Sequence, residues 1–126
     1  MKVGELSGAL LDYWVCKGEG LNVIVAMREN CGDTEPSCLE VNDRGVRVLR
    51  RSPSTSWWEG GPIIERERII LKPFSDGEWG AAYEFDSDAR GGAFYISASQ
   101  EGATPLVAAM RAYVASKFGD EVSDEE

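Results

Sequence analysis

The chain has 126 residues, no histidine and a formal net charge of −9, with 43% apolar and 28% charged residues. This length suits one domain that buries its own core, and the missing histidine excludes Ser-His-Asp and Cys-His mechanisms. No apolar run reaches the roughly 20 residues of a membrane span, and the N-terminus lacks the apolar segment of a signal peptide, so a cytoplasmic protein is expected.

The first predicted element is a short helix that follows Ser7, a residue type that caps helices well. Its apolar stripe has helical spacing, and Gly18 or Gly20 ends it. The stripe consists of Leu10, Leu11, Trp14 and Val15. The next segment, Leu21–Arg28, is rich in β-branched residues and predicts a strand.

A β-hairpin is predicted next, because Asn42, Asp43 and Gly45 tolerate the backbone conformations of a tight turn. The hairpin carries a basic run, which contains Arg44, Arg47, Arg50 and Arg51. Three cysteines, Cys16, Cys31 and Cys38, precede this run, and they are interpreted as structural thiols in a reducing compartment. They cannot complete a four-ligand Cys/His zinc site.

The stretch SPSTSWWEGGPIIERERI, from Ser52 to Ile69, has two alternative interpretations. Gly60, Gly61 and Pro62 argue against a regular helix through the whole stretch. One alternative is an irregular cap over Ser54–Gly61 followed by a short helix from Pro62 to Arg66. The other is an extended passage into the next strand, and the helical alternative is preferred.

Three strands joined by short turns predict an antiparallel meander from Ile69 to Ser99, with segments IILKP, WGAAYEF and AFYISAS. On one face we expect Trp79, Ala81, Tyr83 and Phe85, and Phe94, Ile96 and Ala98 are expected to point inward. The last helix is capped by Thr104, has Pro105 at its first position and ends at Gly119. Its apolar stripe, which should lie on the meander, contains Leu106, Ala109, Met110, Tyr113, Val114 and Lys117.

The predicted fold class is therefore α+β, an antiparallel sheet packed by an N-terminal and a C-terminal helix. A single domain is expected over residues 1–119. Residues 120–126, which include five acids and no base, are predicted to be a disordered acidic tail that folding does not need.

Three segments together resemble the NinX-like family of small phage and prophage proteins. They are LDYWVCKGEG, SPSTSWWEGGPIIERERI and TPLVAAMRAYVASKFGDEV. The resemblance implies a phage or prophage origin and, as a further fold alternative, an α-β-α sandwich. It transfers no catalytic residue, substrate or cofactor.

The candidate binding residues are Trp57, Trp58, Glu59, Gly60, Gly61 and Glu65. Because adjacent side chains point apart in most backbones, one tryptophan is predicted in the core and the other on a recognition surface. The competing interpretation is that both tryptophans pack over the sheet. Glu59, Glu65 and Glu67 could instead converge with Asp12 or Asp76 in a carboxylate site for a divalent ion. Alternatively, Glu59 and Glu65 could face each other in a pocket for a small ligand.

Three functions remain in order of preference. The first is a non-enzymatic accessory protein that binds a host or phage protein, or a second copy of itself, with no cofactor. The second is a small-ligand-binding protein or carboxylate-dependent enzyme with a site around Trp57–Glu65. The third is nucleic-acid interaction through Arg44–Arg51, which the absence of aromatic residues in that run disfavours.

Overall fold

The computed structural model of the protein describes residues 1–27, 32, 34–85 and 95–123. Within these ranges a short 3₁₀ helix at Val3–Glu5 precedes three α-helices, which are α1 (Gly8–Gly18), α2 (Trp57–Glu67) and α3 (Pro105–Phe118). The first four strands are β1 (Val23–Ala26), β2 (Ser37–Val41), β3 (Arg47–Arg51) and β4 (Ile70–Pro73). The other four are β5 (Trp79–Ala82), β6 (Glu84–Phe85), β7 (Tyr95–Ser97) and β8 (Gln100–Gly102).

The first sheet confirms the predicted strand and hairpin. Its order is β1-β2-β3, and both neighbouring pairs are antiparallel. In the turn, Asn42 Oδ1 accepts hydrogen bonds from the backbone N–H groups of Arg44 (2.9 Å) and Val46 (3.0 Å). Gly45 has a φ of +76°, the conformation for which glycine was expected there.

The predicted meander is confirmed as antiparallel, but its third strand is different. The second sheet has the order β4-β5-β8, so Gln100–Gly102 takes the place beside β5 that was predicted for AFYISAS. Part of AFYISAS forms β7, which pairs with β6 as a separate two-stranded unit. Ala98 has a φ of +55°, which separates β7 from β8. The prediction for Phe94 lies outside the described residues.

The predicted alternation along β5 is also incomplete, because Gly80 is buried together with Ala81 and Ala82. A Cβ at Gly80 would lie 2.6 Å from Cζ of Phe74, so the Phe74 ring covers the face of β5 opposite to that of Ala81. The strand is therefore buried on both faces.

The C-terminal helix α3 is the centre of the fold. Thr104 Oγ1 accepts a hydrogen bond from the Val107 N–H at 3.1 Å, which confirms the predicted cap. Met110 and Tyr113 are fully buried, whereas Lys117 at the end of the predicted stripe is exposed. The helix contacts β4, β5 and β8 as well as α1 and α2, and α1 in turn contacts β1 and β2. The α+β class is confirmed, with the β1-β2-β3 sheet in contact with α1 and the β4-β5-β8 sheet in contact with α3.

Residues 120–122 pair with the beginning of the chain. The Val3 N–H donates to the Asp120 carbonyl at 2.8 Å, and the Val122 N–H donates to the Met1 carbonyl at 2.9 Å. Val122 is buried in the main core cluster. The division of the chain at residue 119 stays a prediction, but these contacts count against a tail that is dispensable from residue 120 onward.

In the described part of the chain, no helix is both long and apolar enough to span a membrane.

Candidate functional site

Helix α2 runs through the Gly-Gly-Pro sequence, contrary to the prediction that a helix would begin only at Pro62. It starts at Trp57, five residues earlier. A Cβ at Gly60 would lie 2.4 Å from the Pro53 carbonyl oxygen and 2.6 Å from Cδ2 of Leu106, so this glycine allows close packing. Gly61 has no Cβ to clash with the ring of the following proline, and the helical conformation before Pro62 is therefore accessible.

Both tryptophans are exposed, so the prediction that one of them lies in the core is wrong, as is the alternative of a buried pair. Trp57 is 54% exposed and Trp58 is 90% exposed. The reason is the rotation of α2, whose inward line passes through Gly60 and Ile63. Trp57 lies about a quarter-turn from that line and Trp58 on the opposite face of the helix, so both indoles face solvent.

A cavity of about 350 Å³ lies beside Trp58, between α1 and α2. Its floor is mainly apolar and is formed by Val15, Cys16, Leu21, Pro53, Pro62 and Ile63. Charged side chains complete its lining, namely Glu19, Arg51, Glu59 and Arg66. This cavity was not predicted from the sequence, because its lining comes from three separate stretches of the chain, residues 15–21, 51–53 and 58–66.

Arg66 and Glu19 fix one side of the cavity. The guanidinium of Arg66 donates from Nη1 and Nη2 to the two Glu19 carboxylate oxygens at 2.9 and 2.7 Å. The hydroxyl of Tyr113 also donates to Glu19. These hydrogen bonds, that from Arg66 foremost, lower the pKa of Glu19 below its ordinary value, and the carboxylate stays ionised.

Arg51 and Glu59 form the opposite side. Arg51 donates from Nε and Nη2 to Glu40 Oε1 at 2.8 and 2.6 Å, and its Nη1 lies 3.7 Å from Glu59 Oε1. Glu59 Oε2 accepts hydrogen bonds from the Ser52 backbone N–H (2.9 Å) and hydroxyl (3.0 Å). Glu59 therefore holds the segment before α2 in place, a role that the sequence analysis did not assign to it.

The structure does not pair Glu59 with Glu65. Six residues of α-helix rotate a side chain by roughly 600°, which leaves these two carboxylates about 120° apart around the axis. Glu65 is exposed, whereas Glu59 is partly buried against Ser52. Among the described residues, no group of three or more His, Cys, Asp or Glu side chains could hold a metal ion.

A second, smaller hollow of about 230 Å³ lies on the other side of the tryptophan pair. Trp57 borders it together with the beginning of α3, including Pro105, Leu106 and Val107. The two indoles thus stand between two hollows, and this arrangement is called the tryptophan ridge below, defined by Trp57 and Trp58.

Asp12, a candidate member of the carboxylate site, lies instead in a buried polar cluster with Ser54. Asp12 is only 5% exposed, and its Oδ1 accepts a hydrogen bond from the Ser54 N–H at 2.8 Å. Burial raises the pKa of Asp12. Cys16 and Cys38 are buried free thiols, as expected, and their mutual hydrogen bond together with burial raises the pKa of Cys38. Cys31 lies outside the described residues.

Comparison with known proteins gives one family. The family model described as "Bacteriophage P22, NinX" matches residues 2–117. A search of curated proteins found no match.

Proposed function

Since the chain belongs to the phage protein family described as Bacteriophage P22, NinX, we propose that it is a non-enzymatic accessory protein of the phage that binds a host or phage protein in the host cytosol. The observation that carries this proposal is Trp58, which is 90% exposed at the edge of a cavity with an apolar floor. Exposed aromatic residues in such a setting are typical of interface hot spots.

The residues that line the cavity indicate which kind of partner side chain would bind in it. Its floor favours an apolar side chain, which would leave water and pack against the Trp58 indole at the same time. The ion pairs Arg66–Glu19 and Arg51–Glu59 border the cavity. In each pair the charge of one side chain is balanced by the other. A partner therefore needs no buried counter-charge of its own, and the bordering charges supply orientation more than affinity.

Site-specific photocrosslinking in infected bacteria tests the proposal. A photoreactive phenylalanine analogue replaces Trp58 in one protein and Asp76, an exposed turn residue, in a matched control. We expect a crosslinked protein of defined mass with the analogue at 58 and not at 76. Its identification distinguishes a host or phage protein from a second copy of the chain. Equal crosslinking at both positions, or none at 58, would contradict the proposal.

Alanine variants separate recognition from folding. Both indoles are mostly exposed. The free energies of unfolding of Trp57→Ala and Trp58→Ala, measured in urea, should therefore each lie within about 1 kcal/mol of the wild-type value. Trp58→Ala should lose the crosslinking partner when the analogue is moved to Pro62, an exposed residue that also lines the cavity. If Trp58→Ala retained the partner, the cavity edge would not be the contact.

A small-ligand-binding function is the second candidate, and the size of the cavity favours it. A volume of about 350 Å³ falls at the lower end of the roughly 300–1,000 Å³ typical of small-molecule sites. Thermal unfolding in a panel of small aromatic and aliphatic compounds distinguishes the candidates. A ligand-dependent rise in melting temperature that Ile63→Phe abolishes, without loss of fold, would favour the small ligand.

A further inference from the structure

Strand β3 combines an open backbone edge with exposed apolar side chains. Within the described ranges it is the outer strand of the β1-β2-β3 sheet and pairs with β2 alone. Val48 and Leu49 are 62% and 50% exposed, and Val46 just before the strand is 55% exposed. An outer strand has alternate N–H and C=O groups that point away from its neighbour, and these groups can pair with another extended chain.

The same strand is strongly basic. Residues 44–51 contain Arg44, Arg47, Arg50 and Arg51, four of the 13 basic residues of a chain whose net charge is −9. Arg51 is engaged with Glu40, and Arg47 Nη1 donates to the Met27 carbonyl at 3.0 Å. Arg44 and Arg50 are exposed. The edge therefore presents positive charge beside valine and leucine side chains.

Charge decides which extended chain fits this edge. Pairing of β3 with β3 of a second copy would bring the four arginines of one copy against the four of the other. Like charges directly opposite each other destabilise a strand pair. A segment that alternates acidic and apolar residues would instead place its carboxylates on the face of β3 that carries Arg47 and Arg50, and its apolar side chains on the face that carries Leu49.

From these observations we propose that β3 is a docking edge for an extended acidic peptide segment of a partner protein, which adds to the sheet as a fourth strand. Main-chain hydrogen bonds supply much of the affinity in this mode of recognition, and the side chains select the sequence. The exposed apolar residues and the open edge favour a peptide over nucleic acid, because β3 has no aromatic side chain on which a base could stack. The edge shares Arg51 with the cavity beside Trp58, but the proposal does not depend on the function proposed for the tryptophan ridge.

The test uses the full chain labelled with ¹⁵N and a short acetylated peptide of alternating glutamate and valine. We expect amide shifts confined to β3 and its neighbour β2 on titration. Arg50→Glu should weaken binding at least about tenfold, whereas Arg68→Glu, with the same change of charge at an exposed residue after α2, should leave it within about twofold. A peptide with N-methyl groups on alternate backbone nitrogens should not bind, since it cannot form the ladder.

Several outcomes would overturn the proposal. They are the absence of β3 shifts with the glutamate–valine peptide, and equal binding of the N-methylated peptide, which would indicate charge attraction alone. Tighter binding of a single-stranded oligonucleotide to β3 at the same salt concentration would assign the edge to nucleic acid. A dimer in sedimentation that Arg50→Glu alters would assign it to a second copy.

Discussion

Gly60 is the residue on which the position of α2 depends. Replacement by alanine would bring a Cβ to 2.4 Å from the Pro53 carbonyl oxygen. A backbone atom cannot move away from such a clash as easily as the end of a flexible side chain. We expect Gly60→Ala to lower the free energy of unfolding by roughly 1–3 kcal/mol in urea titrations, although alanine is the better helix former. Gly61→Ala is the matched control, because its Cβ would meet Cε3 of Trp57 at an ordinary 3.8 Å and it should show only the smaller cost of a Cβ before Pro62. Equal losses in both variants would contradict the packing argument.

The carboxyl group of Asp12 makes the folded protein less stable as pH rises, whereas most carboxylates in folded proteins make it more stable. Burial raises its pKa above the ordinary value of 3.8, so the folded state favours the protonated form. Its contribution to stability is present below pH 3.8 and is lost as pH rises through the raised pKa. Asp12→Asn keeps an oxygen for the Ser54 N–H, and we expect it to be more stable than wild type at neutral pH. In melting curves the difference should vanish in acid, and a pH-independent difference would refute this reasoning.

The contact between the end of α1 and α2 depends on Glu19. Its pKa is shifted in the opposite direction from that of Asp12. Its pKa is lowered below 4.5, so its stabilising contribution is present above that pH and is lost as pH falls through the lowered value. Arg66 is half-exposed, and solvent weakens the pair. We therefore expect Glu19→Gln to cost only about 0.5–1 kcal/mol at neutral pH.

The measurement for Glu19 is urea unfolding at a series of pH values. The difference between wild type and Glu19→Gln should close as the pH falls below 4.5. Glu65→Gln on the exposed face of α2 is the control and should follow wild type throughout. A Glu19→Gln deficit that persisted unchanged in acid would indicate lost packing rather than a lost ion pair.

The elements that the sequence predicted well carry their own local signals. Helix α3 has its cap at Thr104, its proline at 105 and its terminating glycine at 119, and the structure agrees at each position. Helix α2 was predicted too short, because rules for glycine and proline describe an isolated helix. Gly60 packs so closely against Pro53 and Leu106 that a Cβ there would clash. This is a tertiary contact, and the local sequence does not predict it. The third strand of the second sheet was predicted at the wrong residues. The chain turns at Ala98 with a positive φ, and an alanine there does not indicate a turn in the sequence.

At the scale of the whole molecule, the two ends of the described chain stabilise each other. Val122 is buried in the main core, and residues 120 and 122 bond to Val3 and Met1. Removal of residues 120–126 should therefore cost roughly 1.5–3 kcal/mol, the value of burying one such aliphatic side chain. Removal of residues 124–126 alone should leave the urea midpoint unchanged. Equal stability of both truncations would restore the simpler expectation of a dispensable acidic tail.

The candidate site was predictable only in part. The sequence directed attention to Trp57 and Trp58 through their adjacency and their glycine neighbours, but not to the cavity beside them. That cavity needs Val15 and Leu21 from around α1, Arg51 from β3 and Pro62 from α2, residues that only the folded chain brings together. The basic strand was visible in the sequence as well. Its place at the outer edge of a sheet was not, because strand order depends on long-range pairing.

The exposure of the tryptophan ridge also has an optical consequence. Two of the four indoles in the chain stand in water, whereas Trp14 is partly buried and has the rings of Tyr13 and Phe118 at its edges. Trp79 is partly buried as well. Half of the indoles that give the protein its intrinsic fluorescence therefore lie at the surface that is proposed to bind. A partner that covers the ridge should shift the emission to shorter wavelength and shield it from a dissolved quencher, so that association can be followed without attaching a dye.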